Sequence, residues 1–198
     1  FMHDKKTLRL VQVSLLVAII VVLQTVSYIL SKFAILPVSI SLVFIPIVIG
    51  GFALGIKYGA ILGFSFGIIT FIGCVTGIDA GGQMLFAANP FITFLLCILK
   101  ATVAATVSAL LYKILSKVNS HIRVAISSAV APVINTGIFL LAMFTIYRDT
   151  LYSWAGGKDI LTYTITGLVG VNFLIEFIST VVLSPIVFPN VKKSLISE

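Results

Sequence analysis

Residues Leu8–Leu30 read LRLVQVSLLVAIIVVLQTVSYIL, and this stretch decides the fold. Past Arg9 it carries no charge for more than twenty positions. A helix rises about 1.5 Å per residue and a bilayer's hydrocarbon core is about 30 Å thick, so roughly 20 apolar residues make a span. The run is too long for a signal-peptide core and ends in no small-residue cleavage site, so it is expected to persist as a first transmembrane helix.

The pattern repeats along the chain. Of 198 residues, 60% are hydrophobic and 10% charged, with a mean hydropathy of +1.21. A soluble domain carries about a quarter charged residues, so too little charge is present to wet a globule. Soluble enzymes, secreted disulfide scaffolds and disordered tails are excluded. Further apolar runs lie at about Leu42–Ile56, Tyr58–Val75, Pro90–Leu115, Ile122–Ile146 and Thr164–Phe188. The second is short and contains Pro46, Gly50 and Gly51, which suits a bent or tilted segment. The expectation is an all-α membrane protein: one domain over residues 1–198, a compact bundle of six transmembrane helices.

Orientation follows from Lys and Arg. Lys5, Lys6, Arg9, Lys57, Lys113, Lys117, Arg123, Lys192 and Lys193 fall on the side of the termini, against Lys32, Arg148 and Lys158 on the other. The positive-inside rule then predicts N-in/C-in, with both termini cytoplasmic. The outward loops become Ser31–Ser41, Thr76–Ala88 and Tyr147–Tyr163. In the last two, Asp79, Gln83 and Trp154 are candidate gating residues, although Trp154 and its tyrosine neighbours also suit an interfacial anchor. The net charge of +7 is a topology determinant here and implies no nucleic-acid partner.

Two small-residue stripes are expected to pack. Gly55, Gly59, Gly63 and Gly67 recur every four residues on the third run, and Ala101, Ala105 and Ala109 do so on the fourth. Such faces let helix backbones approach closely in lipid. Ser14, Ala18 and Val22 repeat the spacing on the first run and are candidates for a subunit contact.

Ionisable groups at mid-membrane are costly, about 2.5–3.5 kcal/mol on insertion scales, and usually have a partner or a job. Lys100 and Glu176 are the two here. Each lies about eleven or twelve residues from the outer end of its helix, roughly 16–18 Å deep. Asn135 reaches the same level on the fifth run. Asn89 and Thr93 stand in register above Lys100, and Asn172 above Glu176, with Ser179 continuing that stripe. The result is a polar seam from the outer surface to mid-membrane. It reads either as a Lys100–Glu176 ion pair that locks the bundle, or as a binding cavity in which Lys100 meets an anionic ligand. The seam itself holds no Trp or Tyr, leaving Phe139 or Phe173 as stacking surfaces.

No GxxxxGK[ST], HExxH or GxSxG motif occurs. His3 and His121 fall at cytoplasmic ends. Cys74 and Cys97 have neither CxxC nor metal spacing and read as buried small hydrophobes, and no cofactor is implied. Water channels use Asn-Pro-Ala half-helices, of which only Asn89-Pro90-Phe91 comes close, and no internal repeat supports an inverted-repeat transporter.

The segment Phe44-Ile-Pro-Ile-Val-Ile-Gly-Gly51, the Gly-rich third run from Gly55 to Gly67, the loop Gly77–Ala88 and Asn89-Pro90-Phe91 leading into the Ala-rich fourth run together resemble the substrate-binding S components of energy-coupling factor (ECF) vitamin transporters. The resemblance covers nearly the whole chain in architecture. It implies a non-enzymatic, high-affinity vitamin binder in a bacterial cell membrane, docked on a transmembrane coupling (T) subunit served by two cytoplasmic ATPase subunits. It further implies toppling in the membrane to release cargo and a site near the outer surface. The coupling contact would fall on Ser14, Ala18 and Val22, where Ser and Val depart from the family's all-Ala stripe. The substrate-binding candidates are Asn89, Thr93, Lys100, Asn135, Asn172 and Glu176. A cavity Lys favours a carboxylate or phosphate, and Asn and Ser suit hydroxyls and amides, which points to a flexible, hydroxylated acid. The sequence resembles the family's pantothenate-type members best, so the resemblance implies pantothenate. Riboflavin, folate and a thiamine precursor are alternatives. Two readings from other classes are a stand-alone ion-coupled carrier, with Lys100 and Glu176 as a proton relay, and a ligand-free scaffold.

Overall fold

The computed structural model describes residues 5–33 and 42–196. Most of the expected loop Ser31–Ser41 lies outside them. The described residues are helical with short connections: α1 (Lys5–Phe33), α2 (Phe44–Leu54), α3 (Ile56–Thr76), α4 (Ala80–Ala88), α5 (Pro90–Ile114), α6 (Ser120–Thr145), α7 (Arg148–Ala155), α8 (Ile160–Tyr163), a π-helical turn (Thr164–Val169) and α9 (Gly170–Ile196).

Five of these helices, α1, α3, α5, α6 and α9, are long and apolar enough to cross a membrane. The second apolar run forms only the eleven-residue α2, about 16 Å long and so shorter than a hydrocarbon core. Its burial explains its all-round apolarity: Phe44, Pro46, Ile47, Val48, Ile49, Gly50, Gly51 and Phe52 are all buried. A helix apolar on every face belongs inside a bundle. Gly55 ends α2 and starts α3 at φ +106°, a conformation that side chains rarely adopt, so glycine is required at this corner.

The sixth run also differs from expectation. Its span is Asn172–Lys193, later than Thr164–Phe188, because residues 164–169 wind into the π-helical turn. α9 then continues through Pro185 and Pro189, and α6 likewise contains Pro132. Membrane helices tolerate such prolines because neighbouring groups satisfy the freed carbonyls. The two loops Thr76–Ala88 and Tyr147–Tyr163 hold the short helices α4, α7 and α8.

The expected small-residue faces meet each other. A Cβ placed on Gly63 would lie 2.6 Å from the Ala101 carbonyl oxygen and 2.7 Å from the Ala105 Cβ. On Gly67 it would lie 2.7 Å from the Cys97 carbonyl oxygen, and on Gly59 3.3 Å from the Ala109 Cβ. Only glycine permits α3 and α5 to approach this closely. Gly55 is not part of the seam.

Two apolar clusters result. The larger joins Leu16 and Ile20 of α1, α2, Leu62 and Phe66 of α3, Ala101, Ala104 and Ala105 of α5, Val124 and Ala131 of α6, and Phe188 of α9. The smaller gathers Leu85, Leu96, Ala142, Met143, Tyr147 and Leu151, and seats α4 and α7 on α5 and α6. On α1, Gln12, Leu16, Ile20, Gln24 and Ser27 face inward, while Ser14, Ala18 and Val22 are exposed on the other side.

Candidate functional site

The smaller cluster roofs a cavity of about 450 Å³ enclosed by α3, α5, α6, the π-helical turn and α9, with α4 and α7 above. That volume lies within the range of small-molecule sites. Four seam residues line it from three helices: Thr93 and Lys100 on α5, Asn135 on α6 and Asn172 on α9. Asp79 and Trp154 line it from the roof.

Lys100 stands about ten residues into α5, roughly 15 Å from its start. Its ammonium lies 5.4 Å from the Phe139 ring centroid, a cation–π contact with α6. The charged groups in the wall are this Lys and Asp79. Asp79 is held in place as the N-cap of α4, accepting from the Gly82 N–H at 3.0 Å.

Asn135 is 9% exposed, and its Oδ1 has no hydrogen-bond partner. Buried polar atoms are nearly always paired, so an orphan carbonyl on a residue that borders a cavity marks a hydrogen-bonding capacity the fold itself leaves unused. Asn135 lines the cavity together with Lys100 and Thr136.

Thr93 is positioned by its neighbours. Its Oγ1 donates to the Asn89 carbonyl at 2.8 Å and lies 2.7 Å from the Tyr147 hydroxyl, which itself reaches the same carbonyl at 3.2 Å. Burial raises the Tyr147 pKa, against the lowering effect of the Thr93 hydrogen bond, so the ring stays a neutral phenol. This knot pins the end of α6 to the start of α5.

Other expected residues are placed elsewhere. The Asn89 side chain caps α5, its Oδ1 accepting from the Ile92 N–H at 3.1 Å, with Pro90 in the first turn; it does not line the cavity. Glu176 lies one helical turn beyond Asn172 and is not in the wall. Gln83 is exposed and packs on Gly77, where φ is +72°. Trp154 bridges the two roof helices: its Nε1 donates to the Met84 sulfur at 3.2 Å, and its ring edge lies over Gly81. The seam residues themselves include no Trp or Tyr, and the cavity gains its aromatic lining from Trp154 and Phe139, both packed on the smaller apolar cluster. Phe173 lies outside it, beside Leu140 and Val169.

Thr70, Cys74 and Cys97 were not anticipated in the wall. The two thiols are buried and free, with sulfurs 4.0 Å apart. Cys74 also sits directly under Gly82, where any Cβ would collide with its sulfur. Cys97 belongs to the close α3–α5 contact, its carbonyl oxygen lying against Gly67, and Cys74 follows two turns later on α3.

A family model described as ECF transporter, substrate-specific component, matches residues 8–188. The chain belongs to that family. As a substrate-specific component it is a transporter subunit and not an enzyme, and its apolar helices make it a multi-pass membrane protein. Comparison with curated proteins found no match.

Proposed function

We propose that this substrate-specific component captures a water-soluble vitamin carrying a carboxylate, pantothenate first, in the cavity beneath α4 and α7. The observation that carries the reading is a cavity of about 450 Å³ bordered by Lys100, Thr93, Asn135 and Asn172 from three helices. Lys100 would hold the carboxylate through a charge-assisted hydrogen bond. Asn135 would accept from a hydroxyl or amide, Asn172 and Thr93 would border the polar middle, and Leu85, Leu96 and Phe139 would face the methyl groups. Glu176 would act from beyond the wall, through the α9 backbone or its neighbours.

In this reading both termini are cytoplasmic, the roof faces the outside of a bacterial cell, and Asp79 and Trp154 guard the mouth, with Gln83 supporting the turn at Gly77. The exposed α1 face of Ser14, Ala18 and Val22 would meet a T subunit that works with two ATPases. A second reading, favoured by the Trp154 ring, is a vitamin with a flat heteroaromatic ring, such as riboflavin, folate or a thiamine precursor, stacked under the roof.

Thermal unfolding of the detergent-purified chain against a panel of water-soluble vitamins tests this. Ligand at a thousand times its Kd stabilises the folded state by about 4 kcal/mol, a clear shift in midpoint. A shift with pantothenate supports the first reading, and one with a flat-ring vitamin the second. No shift with any vitamin, in folded and ligand-free protein, sinks both and turns attention to ion-coupled flux in liposomes.

A further inference from the structure

At the far end of the bundle a second cavity, of about 410 Å³, opens between the α2–α3 corner, the last turns of α5 and the first turn of α6. Gly51, Gly55 and Ala109 leave the space, and Lys113 and Arg123 supply the charge. The Arg123 guanidinium is fixed: it lies 3.6 Å from the Tyr112 ring centroid, and its Nε donates to the Tyr112 carbonyl. The same ring stacks on Phe52 at 4.4 Å and packs edge-on against Phe188 at 5.5 Å. With Nε committed, the fork presents its two terminal nitrogens, which make no hydrogen bond among the described residues.

The first turn of α3 adds donors. Tyr58 and Gly59 N–H groups return to the Gly55 carbonyl, whereas those of Ile56 and Lys57 precede any intrahelical acceptor, and Gly55 offers no side-chain cap. Lys57, Lys113, Lys117, Arg123, Lys192 and Lys193 share this end, while the carboxylates among the described residues (Asp79, Asp149, Asp159 and Glu176) lie on the roof segments or in the second turn of α9. Basic residues at helix ends alone would satisfy the positive-inside rule. A locked guanidinium beside a concave, donor-lined space goes beyond that requirement.

We propose that this cavity binds a phosphate oxyanion, held by Arg123, Lys113 and the first turn of α3, and that its source is the headgroup of an anionic phospholipid. Arg matches phosphate with two parallel hydrogen bonds, and basic pockets between membrane helices suit such headgroups. The level fits a lipid better than a soluble phosphate, because Lys113 and Arg123 stand at the ends of the spanning helices α5 and α6, and Phe52 and Ile56 make part of the wall apolar.

The test is thermal unfolding of the delipidated full chain in neutral detergent, titrated at constant ionic strength with short-chain phosphatidylglycerol, phosphatidylcholine or inorganic phosphate. Phosphatidylglycerol alone is expected to raise the midpoint, with apparent affinity roughly tenfold or more weaker in Arg123→Gln and in Lys113→Gln. Lys113 is exposed, so its variant keeps the stack intact if Arg123→Gln fails to fold. An equal response to inorganic phosphate keeps the anion site and overturns the lipid source. An equal response to phosphatidylcholine, or an equal loss in the control Lys117→Gln outside the cavity, overturns the site.

Discussion

α5 leads two lives. From Ala101 to Ala109 it presses its alanines and backbone onto Gly63 of α3, with no room for one added carbon, and lies closely against Gly59. From Thr93 to Lys100 the same helix, one or two turns away, walls a cavity of about 450 Å³ with a hydroxyl, a thiol and an ammonium. The tight half fixes where the helix stands, and the open half presents side chains whose mutual spacing is then set. Precision in the cavity is thus inherited from a seam that touches no ligand, as sites built on rigid elements require.

The contrast breaks most sharply at Gly63. Replacing it by Leu drives a side chain into the α5 backbone, and overpacking of this kind costs about 1–3 kcal/mol or more. The expected outcome is a large fall in the unfolding midpoint together with loss of ligand binding. Gly137→Ala on α6 is the matched control, since its Cβ would meet nothing within 4 Å. That change should leave binding intact and stabilise slightly, by about 0.4–1 kcal/mol. A Gly63→Leu protein as stable as the parent would dissolve the distinction between the two halves.

In the open half, Lys100→Met should weaken vitamin binding by much more than about tenfold while moving stability little, as read by calorimetric titration and thermal unfolding. Unchanged affinity with lowered stability would instead assign Lys100 to bundle packing, the Glu176 pairing included. Asn135→Leu should cost roughly five- to tenfold in affinity, the worth of one neutral hydrogen bond. Because the parent Oδ1 is an unpaired buried atom, the same change should preserve or raise the unfolding midpoint without ligand. The two variants together separate a site from a structural polar cluster.

The tight half was legible because its spacing is periodic and glycine and alanine have one use in such a pattern. The positions of Lys100 and Asn135 along their helices were legible for a related reason, that rise per residue is constant. Lengthwise reading alone overextended the seam. Asn89 shares a face with Thr93 but spends its side chain on the helix start, and Glu176 shares a face with Asn172 but is not in the cavity wall. The roof was hidden because helices of eight or nine residues, such as α4 and α7, do not display a clear period. The brevity of α2 was visible in its run length. Its burial depends on partners far away in sequence. Cys74 and Thr70 turn inward only because α3 is pinned to α5.

The smallest expected effect lies on the exposed roof. The Asp159 carboxylate accepts from the Thr162 N–H at 2.9 Å and from its hydroxyl at 3.0 Å, and these bonds lower its pKa below the usual 3.8. A lowered folded-state pKa means that the stabilisation is present above about pH 4 and fades as pH falls through the folded value. Asp159→Asn should therefore abolish a slight fall in midpoint below about pH 4 and leave the neutral-pH midpoint almost unchanged. A fall of equal size in the variant would place the acid sensitivity elsewhere.

Trp154 is the single tryptophan of the chain, and it lines the cavity while touching Met84 and Gly81. The molecule accordingly carries its own optical probe, with every photon of indole emission originating at the threshold of the proposed site. Closure of α7 over a cargo would dehydrate that ring and shift its colour, while traffic at the basic end would leave it dark to change. Arrival and departure of a substrate can thus be timed in the unlabelled protein.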